Sequence, residues 1–266
     1  MSTAKTEDLP LWVKDRDEVI AQSVDASWRY GVPPDYSESK AGLAAESIYN
    51  HPEGSLEDLV QNLVRTFEME VSFKNNPQEW LSVVSDKFRM SSNGGKDFTA
   101  EDVSAQGTYN LFMGDSQDYK ASEESFESSG KLFRTAFPKG FLWEVLEVYS
   151  TPPNVTFKWR HWGTFTGKYK DYSPTGEVVE IIGMSLARVT EDLKIIRVEH
   201  YFDNTQFLVN LAANGKSTQD KKDNKQEKSI WQIFRQFFRP FFKGKEQPDV
   251  VDGVGEGKIS ACPFGF

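Results

Sequence analysis

Residues 157–203 constrain the fold more than any other part of the chain, because they are predicted to form consecutive antiparallel strands with inward-facing histidines. In the run FKWRHWGTFTG, alternation with a period of two places one apolar face at Phe157, Trp159, His161 and Phe165. In the run KIIRVEHYFD, the same alternation places an apolar face at Ile196, Val198, His200 and Phe202. An imidazole on such a face needs a hydrogen-bond partner or a ligand, which favours a pocket over a packed core.

The segments around this region predict an α+β domain. A Ser-x-x-Asp pattern at Ser55 opens one amphipathic helix, and a Thr-x-x-Asp pattern at Thr99 opens a second that is predicted to reach Phe112. A third helix is predicted over 123–137 and strands over 141–149, 154–164, 177–189 and 193–203. Helices followed by a strand meander are typical of an α+β fold. About three helices across one curved antiparallel sheet would leave a cavity between the two layers.

Composition divides the chain into four parts. Residues 1–50 are polar and irregular and are predicted to wrap the domain formed by residues 51–213. Residues 214–228 are almost wholly polar, which predicts a flexible linker. The segment that begins at Ser229 and ends at Lys243 has a basic amphipathic pattern, and Pro240 is predicted to break its helix. A tail up to residue 266 completes this fourth part.

Charge and cysteine content argue against several classes of protein. A net charge of -9 disfavours nucleic-acid binding, which needs a basic surface. The start of the chain lacks a signal-peptide pattern and no run reaches about eighteen apolar residues, so a cytoplasmic chain is expected. Cys262 is the single cysteine, which agrees with a reducing compartment. Neither metal-ligand spacing nor a phosphate loop is recognisable, so no metal and no other cofactor is predicted.

The two inward histidines have two interpretations that stay open. If His161 and His200 line one cavity, they can act as acid and base for enolisation, ring closure or isomerisation, since imidazole titrates near neutrality. The alternative is that each is a structural histidine held by a hydrogen bond. The carboxylates and phenols that are candidates to join them are Glu68 or Glu70, late in the first predicted helix, Tyr109, Glu147 and Asp203.

Longer motifs extend over most of residues 28–203. They are WRYGVPPDY (28–36), GSLEDLVQNLVRTFEME (54–70), ESFESSGKLFRTAFPKGFLWEVLEVYSTPP (124–153), PTGEVVEIIGM (174–184) and EHYFD (199–203). In these motifs the chain resembles the plant pathogen-related proteins, which group with the SnoaL-like polyketide cyclases in the nuclear transport factor two-like superfamily. The resemblance implies a cone-shaped α+β roll that encloses a hydrophobic pocket.

The resemblance also implies where a site would lie. SnoaL-like cyclases carry a Gly-Thr-His-Thr-Gly stretch and, one strand later, an aspartate; at these positions the chain has Phe165 and Ser185. The related limonene epoxide hydrolases place catalytic aspartates on the strands that here carry His161 and His200. These two histidines are therefore the catalytic candidates. The residues predicted to bind substrate are Phe67, Tyr109, Trp143, Trp159, Phe165, Ser185 and Phe202.

Two classes of function follow for a protein with a hydrophobic small molecule as partner. The first is a cyclase or isomerase of specialised metabolism that closes or rearranges a polyketide- or terpenoid-like substrate, including pericyclic closure, which needs shape and one donor. The second is a non-catalytic binding protein for a lipophilic molecule, related to stress or defence. A homodimer is predicted through the outer sheet face, where Arg160 and Trp162 are expected to project. The segment from Ser229 to Lys243 is predicted to dock on protein rather than on a membrane.

Overall fold

A computed structural model describes residues 9–213 of the 266-residue chain. Within this part, the helices are α1 (Arg16–Gln22), α2 (Ser37–Glu46), α3 (Leu56–Phe73), α4 (Ala100–Gln106), α5 (Thr108–Met113), α6 (Phe126–Ala136) and α7 (Asn204–Ala212). The strands are β1 (Arg89–Ser92), β2 (Leu142–Val148), β3 (Asn154–Thr164), β4 (Val178–Val189) and β5 (Ile195–Tyr201). None of the helices in residues 9–213 is long and apolar enough to cross a membrane. The predicted linker, the amphipathic segment and Cys262 lie outside the described residues.

One five-stranded curved sheet forms the frame of this α+β roll, with the strand order β1-β5-β4-β3-β2. Strands β2 to β5 form the predicted antiparallel meander. The expectation of a wholly antiparallel sheet is wrong at one edge, because β1 pairs with β5 in parallel. Exposed and buried residues alternate along β4, so one sheet face meets the core and the other points outward.

Helix α3 begins where its capping pattern predicts. The side chain of Ser55 accepts a hydrogen bond from the backbone N–H of Asp58 at 3.3 Å. The apolar residues of α3 that include Val60, Val64 and Phe67 are buried in the main core cluster. This helix therefore forms one wall of the interior against the inner sheet face.

The second predicted helix divides into two. Thr99 and Asp102 form the predicted capping box at the start of α4. The helix ends at Gly107, whose φ of 78° is a left-handed conformation that glycine adopts without strain. A Cβ at Gly107 would also lie 2.9 Å from the ring of Phe126. A continuous helix up to Phe112 was therefore the wrong expectation, and α5 starts in a new direction.

Part of the N-terminal 50 residues is helical, which corrects the expectation of irregular structure. Helix α2 lies on the outer sheet face, where a Cβ added at Gly42 would sit 3.0 Å from the side chain of Leu142. At the end of α2, Glu46 accepts a 2.9 Å hydrogen bond from the indole N–H of Trp162. Trp162 is only 1 % exposed. The expectation that this tryptophan projects into solvent is therefore wrong.

The free edge of β2 is covered by side chains. The amide of Gln61 accepts from the backbone N–H of Val145 at 3.1 Å, and Arg65 donates to the Trp143 carbonyl at 3.3 Å. His51 donates from Nε2 to the Val145 carbonyl at 2.7 Å. Helix α3 and the turn before it thus satisfy backbone groups that an edge strand would otherwise present to another chain.

The outer face is open where α2 does not reach. Four large side chains there are 39–46 % exposed, and we call them the open strip: Ile182, Met184, Leu186 and Tyr201. Met184 is paired with Tyr201 across β4 and β5, so the four side chains are contiguous.

Helix α7 closes the inner face. The side chain of Asp203 caps it by accepting from the backbone N–H of Gln206 at 2.8 Å. Phe207 of this helix packs against an aromatic cluster that contains Phe133, Phe137 and Phe141. The predicted strand over 193–203 therefore ends at Tyr201, since the chain turns at Asp203 into this helix.

Candidate functional site

His200 is held by a hydrogen-bonded row of three side chains on the inner sheet face. Ser185 Oγ lies 2.8 Å from Trp159 Nε1 and 2.7 Å from His200 Nδ1. An indole N–H can only donate, so Ser185 accepts from Trp159; its own proton and its second lone pair then allow it either to donate to Nδ1 of the imidazole or to accept from it. The local sequence produces this row because Ser185 is paired with His200 on β5 and with Phe157 on β3.

An apolar pocket lies beside His200, between α3 and the sheet. Its volume is about 30 Å³, and eleven residues line it. Ten of them are aliphatic or aromatic, among them Leu63, Phe67, Phe157 and Val198, and His200 is the single polar one. The site thus combines a hydrophobic wall with one fixed hydrogen-bonding group, which is the usual composition of a small-molecule pocket.

Burial keeps the imidazole of His200 uncharged. The side chain is 1 % exposed, and burial lowers its pKa from 6.5 to about 3. The ring is consequently neutral throughout the physiological range and can donate a hydrogen bond without giving up its proton.

His161 occupies a different environment on the same sheet face. Its Nδ1 donates to the carbonyl of Leu142 at 2.7 Å, and its ring lies 4.1 Å from that of Phe141. Because a carbonyl only accepts, Nδ1 carries the proton and Nε2 is the acceptor of the neutral ring. Burial lowers the pKa of this histidine to about 3, and the bond to Leu142 opposes that shift.

The two histidines do not meet at one point. His200 is level with Ser185 and Phe157, and Phe157 precedes His161 by four residues on β3. This register separates their Cα atoms by about 13 Å along the strands and about 10 Å across them. This register therefore does not bring the two histidines to one substrate atom, where the sequence suggested that they act as an acid–base pair.

The other predicted site residues divide between these two regions. Phe202, Trp159 and Ser185 lie with His200, and Phe67 lines the same pocket. Tyr109 stacks on Phe133 at 4.1 Å, and Phe165 packs on Phe137 at 6.0 Å, both within the aromatic cluster under α7. Trp143 packs edge-on against Phe157 at 6.4 Å near α3.

Sequence reasoning missed Phe112. Its ring meets that of His200 edge-on at 5.3 Å and that of Phe202 at 5.9 Å. It reaches this position because α5 diverges from α4 at Gly107. Gly107 was the signal available in the sequence, but the prediction of one continuous helix overlooked it.

Two of the candidate carboxylates, Glu68 and Glu70, lie elsewhere and have structural partners. Glu70 accepts from Ser82 Oγ at 2.6 Å, from two backbone N–H groups and from Lys74. Glu68 accepts from Arg16 and from the Tyr36 hydroxyl, each at 3.0 Å. Burial raises the pKa of Glu68 to about 7, against the lowering effect of Arg16. Both carboxylates therefore hold surrounding segments in place instead of joining the histidines.

A larger groove of about 550 Å³ lies on the surface between the N-terminal segment, the 50–53 turn and the first half of α3. Its lining includes four carboxylates, Asp15, Glu18, Glu53 and Asp58, and two cations, Lys14 and Arg65. Such a polar groove does not suit a hydrophobic molecule. Over residues 9–213, no group of three or more histidine, cysteine or acidic side chains is arranged to hold a metal ion.

Comparisons with known proteins give the relatives of this chain. The model of the family described as SnoaL-like polyketide cyclase matches residues 86–211. A pathogen-related protein of barley, Hordeum vulgare, is 39 % identical over 191 residues, which cover 69 % of this chain and 81 % of the relative.

Among solved structures, one similar protein is a candidate SnoaL-like polyketide cyclase from Jannaschia sp. CCS1, with 14 % identity and a TM-score of 0.35. The match covers 57 % of this chain and 90 % of that one. Another is IdmH, a candidate polyketide cyclase from Streptomyces antibioticus, with 16 % identity and a TM-score of 0.35 over 56 % of this chain and 93 % of that one.

Proposed function

Since this chain belongs to the family of the barley pathogen-related protein and carries a SnoaL-like polyketide cyclase domain, we propose that it binds a hydrophobic small molecule between α3 and the sheet. The molecule is of the polyketide or terpenoid type, and its one essential polar contact is His200. The observation that carries this proposal is the lining of the pocket, where His200 is the single polar residue among eleven.

The chemistry that suits this site is ring closure or rearrangement guided by shape. When Ser185 donates to Nδ1 of the neutral imidazole, His200 carries its proton on Nε2 and can donate it in a hydrogen bond to one oxygen of a substrate. Such a donor stabilises charge that develops on that oxygen, and it needs no second titrating group. A pericyclic closure has this requirement, whereas isomerisation by a pair of histidines would need His161 at the same atom.

The pocket must enlarge to take a ligand of this size. Its 30 Å³ has room for one or two water-sized molecules, while sites for small organic molecules span about 300–1,000 Å³. One wall consists of Val60, Leu63, Val64 and Phe67 from α3. Movement of α3 away from the sheet would therefore open the space without breaking a strand pairing.

The second candidate function is binding without reaction. It is favoured by the same His200, because the pKa of about 3 makes this group a poor proton carrier at neutral pH. In that case the imidazole only orients the bound molecule, and the protein stores or delivers it. Detection of product separates the two functions.

A homodimer remains a prediction, although the argument from an exposed Trp162 no longer applies. Trp162 is covered by α2 and cannot contact a partner. Any pairing through the outer face would instead use the open strip.

The test of the proposed function uses the full chain and a panel of hydrophobic ketones, namely camphor, anthrone and 2′-hydroxychalcone, which can close to flavanone. Binding is followed through the NMR signals of the probe, and product formation is followed by liquid chromatography with mass spectrometry, because ring closure leaves the mass unchanged. We expect His200→Leu to weaken binding by about tenfold, the value of one hydrogen bond near 1.4 kcal/mol. His161→Leu serves as the control and should leave the affinity unchanged. Equal losses in both variants, or no binding of any probe, would contradict the proposal.

A conservative variant keeps this test interpretable if His200→Leu does not fold. His200→Gln retains an N–H donor and should bind within a fewfold of the native chain. New products from a bound probe would support the cyclase, and their absence with intact binding would support the non-catalytic function.

A further inference from the structure

The open strip is the part of the described surface that most resembles an unfilled docking site. Ile182, Met184 and Leu186 follow one another on the outer side of β4, and Tyr201 lies beside Met184 on β5. A contiguous apolar patch of a few hundred Å² on a protein surface commonly marks a contact with another chain or segment.

The other half of the same face is already covered by a flanking segment of this chain. Helix α2 covers Leu142 and Trp162, and Glu46 fixes the tryptophan by a hydrogen bond. The protein thus uses residues outside its central sheet to shield the outer face on the β2–β3 side. The β4–β5 side lacks an equivalent cover among residues 9–213.

Two segments of the chain lie outside the described residues, and only one has the required chemistry. Residues 1–8 (MSTAKTED) contain no large apolar side chain besides the initiating methionine. The segment SIWQIFRQFFRPFFKGK at 229–245 repeats large apolar residues with helical spacing, at Ile230, Ile233, Phe234, Phe237, Phe238 and Phe241. From this complementarity we propose that the apolar side of 230–241 docks on the open strip.

The dimensions agree. Ile182 and Leu186 are four residues apart on one strand, which is about 13 Å, and Tyr201 widens the strip by about 5 Å. The ten residues 230–239, before Pro240, extend about 15 Å if they are helical. The fifteen residues of 214–228 reach about 20 Å as a random coil and about 50 Å when extended, so the segment can pass around a sheet edge.

The area favours this occupant over a second copy of the chain. A stable dimer buries about 800 Å² on each partner, whereas the four exposed side chains present only a few hundred Å². Arg235 and Arg239 fall on the opposite side of the segment and would remain in solvent. Docking therefore removes the large side chains of the apolar side from water without burying either arginine.

A spin label tests the contact in the full chain. Cys262 is the single cysteine, so Cys262→Ser removes it, and Arg188→Cys introduces one label site on the same face of β4, next to the open strip but outside it. We expect the label to broaden the NMR signals of residues 230–241. Phe237→Glu should abolish this broadening, whereas Gln236→Glu, which adds the same charge on the polar side, should retain it.

Two controls decide between occupants. A label at Val24→Cys, an exposed position 79 % accessible on the N-terminal segment, reports broadening from chance encounters. A mixture of labelled, nitrogen-14 protein with unlabelled, nitrogen-15 protein reports contacts between copies. Broadening of 230–241 that is equal from both label positions, or that occurs only in the mixture, would overturn the proposal in favour of no docking or of a second copy.

Discussion

The two buried histidines show how similar positions acquire different properties. His161 and His200 face the same side of the sheet, are no more than 1 % exposed and share a pKa lowered to about 3. His161 donates to a backbone carbonyl and packs on Phe141, whereas His200 shares a hydrogen bond with the Ser185 hydroxyl and borders the apolar pocket. The carbonyl fixes the proton of His161 on Nδ1, while a hydroxyl, which both donates and accepts, is compatible with the proton of His200 on either ring nitrogen. The hydrogen-bond partner, and not burial, decides which ring can address a ligand.

The largest expected effect is on acid stability, and both histidines should contribute equally. The folded chain keeps both rings neutral down to about pH 3, while the unfolded chain protonates them near pH 6.5. The stabilising contribution of the two histidines is therefore fully present above pH 6.5. It is lost as the pH falls towards 3, by up to about 1.4 kcal/mol per pH unit for each histidine. His161→Leu and His200→Leu should each remove one histidine's share, about half, of this slope in urea unfolding between pH 6 and pH 4.

Glu68→Gln is the matched control for this titration. The folded pKa of Glu68 is raised to about 7, so this group adds stability as the pH falls from 7 towards 4.5. Its removal should make the acid loss steeper, in the direction opposite to the histidine variants. A histidine variant with an unchanged slope would show that its ring is already protonated in the folded state.

The next largest effect concerns core packing, and it distinguishes the pocket beside His200 from the surroundings of His161. Phe67→Ala, in the His200 pocket, and Phe141→Ala, beside His161, should each lower the free energy of unfolding by about 3–5 kcal/mol. Only Phe67→Ala should enlarge the void next to His200, which xenon bound in crystals would reveal. Phe67→Leu replaces it if the alanine variant does not fold, and xenon absent from His200 in both would contradict the assigned pocket.

A smaller effect concerns the row of three polar side chains. Ser185→Ala removes the bonds to Trp159 and His200 and should cost about 1–3 kcal/mol. It should also shift the nitrogen-15 resonances of the His200 ring, because the bond to Nδ1 is lost. Ser82→Ala removes another buried serine, bonded to Glu70, and should lower stability without moving these resonances.

The smallest expected effect concerns the aromatic contacts of the two histidine rings. Phe112→Leu, next to His200, and Phe141→Leu, next to His161, nearly conserve volume and should each cost less than about 1.5 kcal/mol. Each should shift the ring protons of its own histidine in NMR spectra. A shift of the distant histidine instead would mean that the two regions are coupled.

The sequence predicted those parts of the fold that carry a regular local pattern. β3 spans Asn154–Thr164 as expected from period-two alternation, and α3 starts after Ser55 as its capping pattern indicates. Helix α2 escaped prediction because SESKAGLAAE has Leu43 as its single large apolar residue and therefore shows no apolar stripe. The strand β1 has only four residues, which are too few to show alternation.

The sequence predicted which sheet face the candidate residues occupy, but not which of them contact one another. Alternation places His161, His200 and Trp159 on one face, and this is where the structure has them. The separation of the histidines depends on the register between strands, which alternation within each strand does not determine. The bond from Ser185 to His200 depends on the same register and on the side-chain rotamers.

The covered edge of β2 limits how copies of this molecule can assemble. A sheet grows from one molecule into the next only through strands whose backbone groups remain available. Gln61, Arg65 and His51 occupy such groups on β2, and the opposite edge offers only the four residues of β1. Fibre-like stacking through strand addition is thereby disfavoured at both edges of the sheet. A concentrated solution of this protein should consequently resist β-aggregation until α3 detaches from the sheet.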